Sequence, residues 1–185
     1  MNAGKKNIPT LLLIDDEEDV RLTTSLVLEK DFNVIQAESG EEGIQIVNTN
    51  KIDLVICDIR MSGIDGLHTL ERIKDISPET EVMMLTAVAD TKSAVKAIKA
   101  GAYDYIVKPA EPDQLRNLCQ RALEKKELVN ENKLLTAKLE HLEQYKMGKM
   151  IGKSSVMQNV FKKIQKLANS SVSVLITGET GTGKE

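Results

Sequence analysis

Long apolar runs, paired cysteines and a strong excess of one charge are all missing from this 185-residue sequence. No apolar run approaches the roughly 18 to 20 residues that a membrane-spanning helix needs. The opening MNAGKKNIPT also lacks the apolar core of a secretion signal. The formal net charge is only −3, which gives no reason to expect a polyanion as the main partner. We therefore expect a cytoplasmic protein without a membrane segment.

Cysteine and histidine are too scarce to build a disulfide framework or a zinc site. Cys57 lies in a strand-like run and Cys119 in a helix-like run, with no metal-binding residues at suitable spacing beside either. The two histidines, His68 and His141, lie far apart on helix-like segments. Neither supports a catalytic histidine in this chain.

The first 111 residues alternate short β-type apolar runs with amphipathic segments, a pattern typical of a parallel sheet covered by helices. Predicted strands are residues 10–14, 32–37, 52–57, 81–86 and 103–107, and predicted helices are 18–30, 40–49, 66–76 and 91–99. A fifth helix after Pro112 completes a (βα)5 unit. The fold class is therefore α/β, a doubly wound parallel sheet whose right-handed crossovers cover both faces.

Proline and glycine are both absent after Pro112 as far as Gln144, which predicts one long helix. Leu128, Leu135 and Leu142 recur in it every seven residues. Asn132 and Leu139 follow the first two of these leucines by four residues. This seam consists of Leu128, Asn132, Leu135, Leu139 and Leu142. The pattern is weak before Leu128, where Arg121 and Lys125 occupy the equivalent positions. A parallel coiled coil with a second copy is the simplest cover for the seam, and an exposed or internally packed helix is the alternative.

Four of the five predicted strands lead directly into residues capable of phosphoryl chemistry. They are Asp15 and Asp16 after the first strand, Asp58 after the third, Thr86 and Ala87 at the end of the fourth, and Lys108 after the fifth. Parallel strands deliver their carboxyl ends to one edge of the sheet, so we expect these residues to meet there. Three carboxylates at one place repel each other unless a cation joins them, and oxygen ligands suit Mg²⁺.

Within this group, Asp16 and Asp58 are the expected metal ligands, and Asp58 is the candidate nucleophile because a carboxylate can form an acyl phosphate. Lys108 and the Thr86 hydroxyl would contact the phosphoryl oxygens, and small Ala87 would let its backbone N–H approach them. Taken singly, each residue could be an ordinary helix cap or turn residue. Their joint placement at one edge favours the functional interpretation.

The segments LLLIDD, LVICDIRMSGIDG, MLTA and YIVKP occur in the order and spacing of the receiver domain of bacterial two-component response regulators, which residues 9 to about 125 resemble. The resemblance implies the flavodoxin-like strand order 2-1-3-4-5 and Asp58 as phosphoacceptor. It also implies an acidic pocket of Asp15 and Asp16, with the backbone carbonyl of Arg60 as a further Mg²⁺ ligand. The phosphodonor histidine would belong to a partner sensor kinase.

The same resemblance implies a switch pair of Thr86 and Tyr105, a phosphate-contacting Lys108, and a cis peptide before Pro109. Phosphate-dependent rearrangement is expected on the surface of the fourth helix, fifth strand and fifth helix. We expect that surface to contain Lys92, Lys96, Tyr105 and Leu115.

Two positions separate this sequence from related patterns. Ser62 stands where the receiver family usually has proline, which is expected to loosen the loop after Asp58 without touching a catalytic group. Arg60 stands where the haloacid-dehalogenase-like phosphatases need a second aspartate, so that family is excluded.

The segment GETGTGKE fits the phosphate-binding pattern G-x-x-x-x-G-K after a helix predicted at 154–168 and a strand predicted at 172–177. The loop residues are Gly178, Glu179, Thr180, Gly181, Thr182, Gly183 and Lys184. The stretch from Met150 onward resembles the start of the AAA+ ATPase domain in sigma-54-dependent activators of the nitrogen-regulator and dicarboxylate-regulator type, where a glutamate such as Glu185 usually follows the lysine. ATP, sigma-54 RNA polymerase and enhancer DNA are therefore expected partners of a longer protein.

These features predict a receiver at 8–125, a coiled-coil linker at 112–146 continuous with the fifth receiver helix, and an AAA+ fragment at 147–185. The expected function is that of a homodimeric response regulator, phosphorylated on Asp58 with Mg²⁺, rather than that of an enzyme. A P-loop NTPase in its own right and a phosphate-independent dimerisation module are the alternatives. Phosphorylation could either relieve an inhibition or add an activating contact.

Overall fold

Five parallel strands form one sheet in the order β2-β1-β3-β4-β5, as expected. The strands are β1 (Thr10–Ile14), β2 (Asn33–Ala37), β3 (Leu54–Asp58), β4 (Glu81–Thr86) and β5 (Asp104–Val107). The helices are α1 (Glu18–Leu28), α2 (Gly40–Thr49), α3 (Gly66–Ile76), α4 (Thr91–Lys99) and α5 (Pro112–Glu143). This computed structural model describes residues 8–87, 90–143, 146–147, 150–168, 173–175 and 177. The chain divides into two units, residues 1–130 and 131–185.

Both faces of the sheet are buried, and alternate residues of each strand serve opposite faces. In β1, Leu11 and Leu13 join a cluster with residues of α1 and α5. Leu12 and Ile14 join a second cluster with residues of α2, α3 and α4. All four are fully buried. A strand covered on both sides needs a continuous apolar run rather than an alternating one, and this explains the sequence LLLI.

The strands β2, β3 and β5 begin one or two residues later than predicted, and α1 ends two residues earlier. The Phe32 amide donates to the Leu28 carbonyl at 3.0 Å, so Phe32 closes the end of α1 and β2 begins one residue later. Asp53 accepts the Thr10 amide on its side chain at 3.0 Å, and β3 begins after it. The strand β5 likewise begins at Asp104 rather than at residue 103.

The turn between β3 and α3 is held close to the sheet by Gly66. A Cβ at this position would lie 1.9 Å from the Asp58 carbonyl oxygen and 2.7 Å from the Ile59 Cα. Earlier in the turn, Gly63 has a φ of +82°, which side chains disfavour. The residues that follow Asp58 are thereby kept at the edge of the sheet.

Helix α5 packs its first half against the sheet and ends at Glu143. Four of its residues, Leu115, Cys119, Ala122 and Leu123, are buried in the cluster that includes α1. The assignment of Leu115 to the responsive surface was therefore wrong, because its side chain is only 4% exposed. The predicted long helix is confirmed.

Two consecutive lysines fasten α5 to the amino-terminal edge of the sheet. Lys126 Nζ lies 3.0 Å from Asp53 Oδ1 and 3.1 Å from the Asp53 carbonyl oxygen. Lys125 Nζ lies 3.1 Å from Glu81 Oε1 and 5.0 Å from the centre of the Tyr103 ring. The helix is thus bound to the starts of both β3 and β4 after its last buried apolar residue.

Lys126→Met should lower the free energy of unfolding by about 1 kcal/mol, since the pair is partly exposed. Burial alone would raise the pKa of Asp53, but its bonds to the Thr10 amide and to Lys126 outweigh this and lower it. The stabilisation is therefore present above the usual carboxyl pKa and lost as pH falls through the lowered one. Urea titrations at neutral and acidic pH measure both effects. Lys138→Met, on an exposed stretch of α5, is the control, and equal effects of the two changes would contradict the assignment.

The described residues of the second unit comprise the end of α5, a pair of short antiparallel strands and a further helix. Strands β6 (Lys146–Met147) and β7 (Met150–Ile151) pair with each other, and neither was predicted. Helix α6 (Ser155–Leu167) follows the prediction, with the Ser154 side chain accepting the Met157 amide at 3.2 Å.

Two predictions concern the segment after α6. The strand predicted at 172–177 is not seen in its described residues, 173–175 and 177. A strand requires a hydrogen-bonded neighbour, and the described part of the chain supplies none there. The predicted phosphate loop, 178–184, lies outside the described residues.

None of the described helices is both long enough and apolar enough to span a membrane.

Candidate functional site

Three carboxylates meet at the carboxyl edge of the sheet. Asp15 and Asp16 follow β1, and Asp58 ends β3. One carboxylate oxygen from each lies within 4.8 Å of the other two. Asp15 is 1% exposed and Asp58 4%, whereas Asp16 is exposed. Two of the three charges are thus nearly removed from water, and the third faces it.

Lys108 stands between the two buried carboxylates. Its Nζ lies 2.6 Å from Asp15 Oδ2 and 2.7 Å from Asp58 Oδ2. Burial alone would lower the pKa of Lys108, but its hydrogen bonds to Asp15 and Asp58, together with their negative charges, outweigh burial and raise that pKa. The ammonium group therefore stays charged and offsets part of the repulsion between the carboxylates.

The ends of β4 and β5 are joined beside this lysine. The Lys108 amide donates to the Thr86 carbonyl at 2.7 Å, and Thr86 is only 1% exposed. Ala87 follows it and is exposed. The peptide before Pro109 is cis, as the sequence resemblance implied.

Tyr105 lies on β5 two residues before Val107, the strand partner of Thr86. It is half-buried and packs against the cluster formed with α2, α3 and α4. The structure thus brings the two proposed switch residues onto adjacent strands. Their movement stays a prediction.

Backbone amides of the β3–α3 loop point to the carboxylates. The Arg60 amide donates to Asp58 Oδ1 at 3.2 Å, and the Ser62 amide donates to Asp16 Oδ2 at 2.9 Å. The expectation that Ser62 touches no catalytic group was therefore wrong, whereas the expected loosening of the loop stays a prediction. Proline has no N–H, so serine at this position adds a donor. The serine in place of the usual proline was visible in the sequence. Its hydrogen bond to Asp16 became visible only in the structure.

Asp15 is held by two further groups that sequence reasoning missed. The Glu17 amide donates to Asp15 Oδ1 at 3.0 Å, and Arg21 Nη1 donates to the Asp15 carbonyl oxygen at 2.6 Å. Arg21 stands in the first part of α1, from which its side chain reaches back to the loop. The two contacts keep the β1–α1 turn in place.

The donor set fits a hard divalent cation. All three side chains supply oxygen, and their three negative charges face one ammonium group, so a cation such as Mg²⁺ would relieve the remaining repulsion. The carbonyl of Arg60 as a fourth ligand stays a prediction. The thiol of Cys57 is no rival nucleophile, because burial and then the charge of Asp58 raise its pKa and keep it protonated.

Two family models match this chain. The response regulator receiver domain matches residues 11–120, and the sigma-54 interaction domain matches residues 150–185. The chain is 36% identical over 180 residues to the transcriptional regulatory protein ZraR of Escherichia coli O157:H7, covering 97% of this chain and 39% of that protein. It is also 36% identical over 178 residues to the C4-dicarboxylate transport transcriptional regulatory protein DctD of Rhizobium meliloti, covering 96% and 38%.

Two solved structures of related proteins are also similar to this chain. NtrX from Brucella abortus in complex with ADP is 30% identical with a TM-score of 0.67, covering 88% of this chain and 34% of that one. A CheY-like receiver domain protein from Methanospirillum hungatei is 26% identical with a TM-score of 0.64, covering 65% and 98%. The chain therefore spans roughly two fifths of the length of its full-length relatives.

Proposed function

The chain belongs to the response regulator receiver family and carries a sigma-54 interaction segment behind its receiver, and from this premise we propose that a sensor histidine kinase phosphorylates it on Asp58. The observation that carries the proposal is the position of Asp58, nearly buried and sharing the Lys108 ammonium with Asp15. In the transfer, an Asp58 oxygen forms the new bond to phosphorus while the bond from phosphorus to the kinase histidine breaks. The product is an acyl phosphate.

The residues around Asp58 prepare this transfer. Arg60 N–H and Lys108 hold the two oxygens of Asp58, which fixes the direction in which the carboxylate points. Bound Mg²⁺, held by Asp15, Asp16, Asp58 and the Arg60 carbonyl, would supply the positive charge that lets a phosphoryl group approach the acidic pocket. Lys108, the Thr86 hydroxyl and the Ala87 N–H would then contact the phosphoryl oxygens.

The experiment that tests this function is incubation with acetyl phosphate, a small phosphodonor, followed by intact-mass measurement. With Mg²⁺ present, we expect the mass of one added phosphoryl group, removable by hydroxylamine. With a chelator in place of Mg²⁺, we expect no addition. Failure of the parent chain to gain mass would favour the phosphate-independent dimerisation module.

We further propose that phosphorylation acts through the Thr86 and Tyr105 pair. The Thr86 hydroxyl moves toward the phosphoryl group, and the half-buried Tyr105 ring turns further inward on the adjacent strand. The two states form an equilibrium that phosphorylation biases rather than creates.

Thr86→Ala should leave the final extent of phosphorylation unchanged while reducing the shift of the Tyr105 ring resonances. The hydroxyl is the group that senses the phosphoryl oxygens, so removing it uncouples the ring from the modification. Thr86→Ser keeps a hydroxyl and is the matched control. Equal loss of labelling and of the ring shift would make Thr86 a catalytic residue instead of a relay.

For the whole protein we propose a homodimer in which the receiver at 8–125 controls an attached ATPase through the linker at 112–146. The segment at 147–185 begins that ATPase, with ATP bound by the loop at 178–184. Sigma-54 RNA polymerase and enhancer DNA would be contacted by other regions, in the cytoplasm. The relatives are transcriptional regulators by name, which supports this proposal.

An NTPase active within these 185 residues is the competing function. The match to the sigma-54 interaction domain covers only residues 150–185, so we propose that this chain alone is regulatory. An ATP turnover assay on the chain separates the two cases. Turnover abolished by Lys184→Ala would favour the NTPase.

A further inference from the structure

The three carboxylates of the acidic group are not held equally. Asp15 and Asp58 are buried and bound to Lys108, whereas Asp16 is exposed. The Asp16 carboxylate accepts the backbone amide of Ser62 at 2.9 Å, from a residue 46 positions away in sequence. Among the three carboxylates, the one that faces water is thus held by a backbone amide of the β3–α3 loop.

We propose that the Ser62 amide is a positioning group that turns Asp16 toward the divalent cation. This inference rests on the proposed Mg²⁺ site. An exposed carboxylate rotates freely about its χ angles, and binding a metal would require it to stop. Because the amide occupies a site on Oδ2, the carboxylate keeps Oδ1 and the other lone pairs free for a cation.

The loop that carries this amide is itself well fixed. Glu41 Oε1, on α2, accepts the Ile64 amide at 3.3 Å, and a Cβ on Gly63 would lie 2.9 Å from the same oxygen. On its other side, Gly66 lies against the Asp58 carbonyl. The Ser62 amide is therefore held by contacts within the protein itself, which is what a positioning group requires.

The proline usual in the receiver family could not make this contact, since proline lacks an N–H. The hydrogen bond is therefore a property of this sequence rather than of the receiver pattern it resembles. The serine hydroxyl plays no part in it. The decisive comparison is between a variant that keeps the amide and one that removes it.

Ser62→Pro removes the amide, and Ser62→Ala keeps it. In the whole chain, we expect Ser62→Ala to bind Mg²⁺ like the parent in calorimetry. We expect Ser62→Pro to bind about 10-fold more weakly, the low end of the range for groups that orient metal ligands. Asp16→Asn, which removes the ligand itself, is the positive control and should bind more weakly than the parent.

A second readout needs no metal. In metal-free Ser62→Ala protein, the amide resonance of residue 62 should lie downfield and exchange slowly, because it is hydrogen-bonded. Adding Asp16→Ala should move that resonance upfield and speed its exchange. This measurement keeps the test decisive even if Ser62→Pro fails to fold.

Equal or tighter Mg²⁺ binding by Ser62→Pro would overturn the proposal, as would an amide resonance indifferent to Asp16→Ala. In either case the proposed function stands as long as Asp58 accepts phosphate. Absence of Mg²⁺ binding by the parent chain would instead refute the proposed metal site, and the positioning role with it.

Discussion

Asp58→Asn is expected to abolish labelling by acetyl phosphate completely, whereas the parent chain gains one phosphoryl group per molecule. The side-chain amide of asparagine cannot form the acyl phosphate. The buried Cys57 thiol cannot replace the carboxylate, because its raised pKa keeps it protonated. Intact-mass measurement with Mg²⁺ present reads out the difference directly.

The fold should survive this change, because Lys108 keeps its bond to Asp15 and one source of repulsion is removed. Circular dichroism and urea unfolding check that point. Asp75→Asn, on the exposed side of α3, is the matched control and should label like the parent. Full labelling of Asp58→Asn would place the phosphoacceptor elsewhere and remove the main support for the proposed function.

The sheet could be predicted because burial on both faces demands continuous apolar runs, and few other structures do. Leu11 to Ile14 illustrate this, since all four residues are fully buried. The expected responsive surface did not specify how far each of its residues is buried, however. Leu115 was assigned to that surface, although α5 turns it into the core. The two-residue strands β6 and β7 are too short to leave any pattern.

The gathering of Asp15, Asp58, Thr86 and Lys108 at one edge followed from topology, since parallel strands end together. Contacts made by loops could not be predicted in the same way. The bond between Ser62 and Asp16 depends on how the β3–α3 turn bends, which Gly63 and Gly66 determine through local backbone geometry. The sequence pattern predicts which residues lie at the carboxyl edge of the sheet. The conformation of the loops determines which of these residues contact each other.

The weak first half of the leucine seam also has a physical explanation. Lys125 occupies a position equivalent to the seam residues, yet its side chain is bound to Glu81 and lies over Tyr103. Lys126 is likewise bound to Asp53. Up to this point the helix belongs to the receiver, so an intermolecular seam can begin only after it, at Leu128.

Replacing both Leu135 and Leu139 by aspartate should convert the proposed dimer into a monomer that still accepts a phosphoryl group on Asp58. Three of the seam leucines are open to solvent in the single chain, with exposures of 60% for Leu128, 48% for Leu135 and 61% for Leu139. Burying them at roughly 25 cal/mol per Å² would stabilise association by several kcal/mol before entropic costs. Asn132 on the same seam would fix the register and favour two strands. Each 1.4 kcal/mol changes an equilibrium constant about tenfold, so we expect the dimer dissociation constant of the variant to be at least ~100-fold larger than that of the parent. Sedimentation equilibrium measures both constants.

Leu134 provides the matched control for this experiment. It is 56% exposed and adjacent to Leu135, yet it lies off the seam. Leu134→Asp makes one such replacement, against two in the test variant, at a position where no aspartates face each other across the seam, and it should stay as dimeric as the parent. If both variants dissociate alike, general exposure of apolar surface rather than a specific seam holds the copies together. If neither variant dissociates, the receivers themselves form the dimer and the helix after Lys126 is a passive tether. Phosphorylation would then have to act through the receiver surface instead of through the helix.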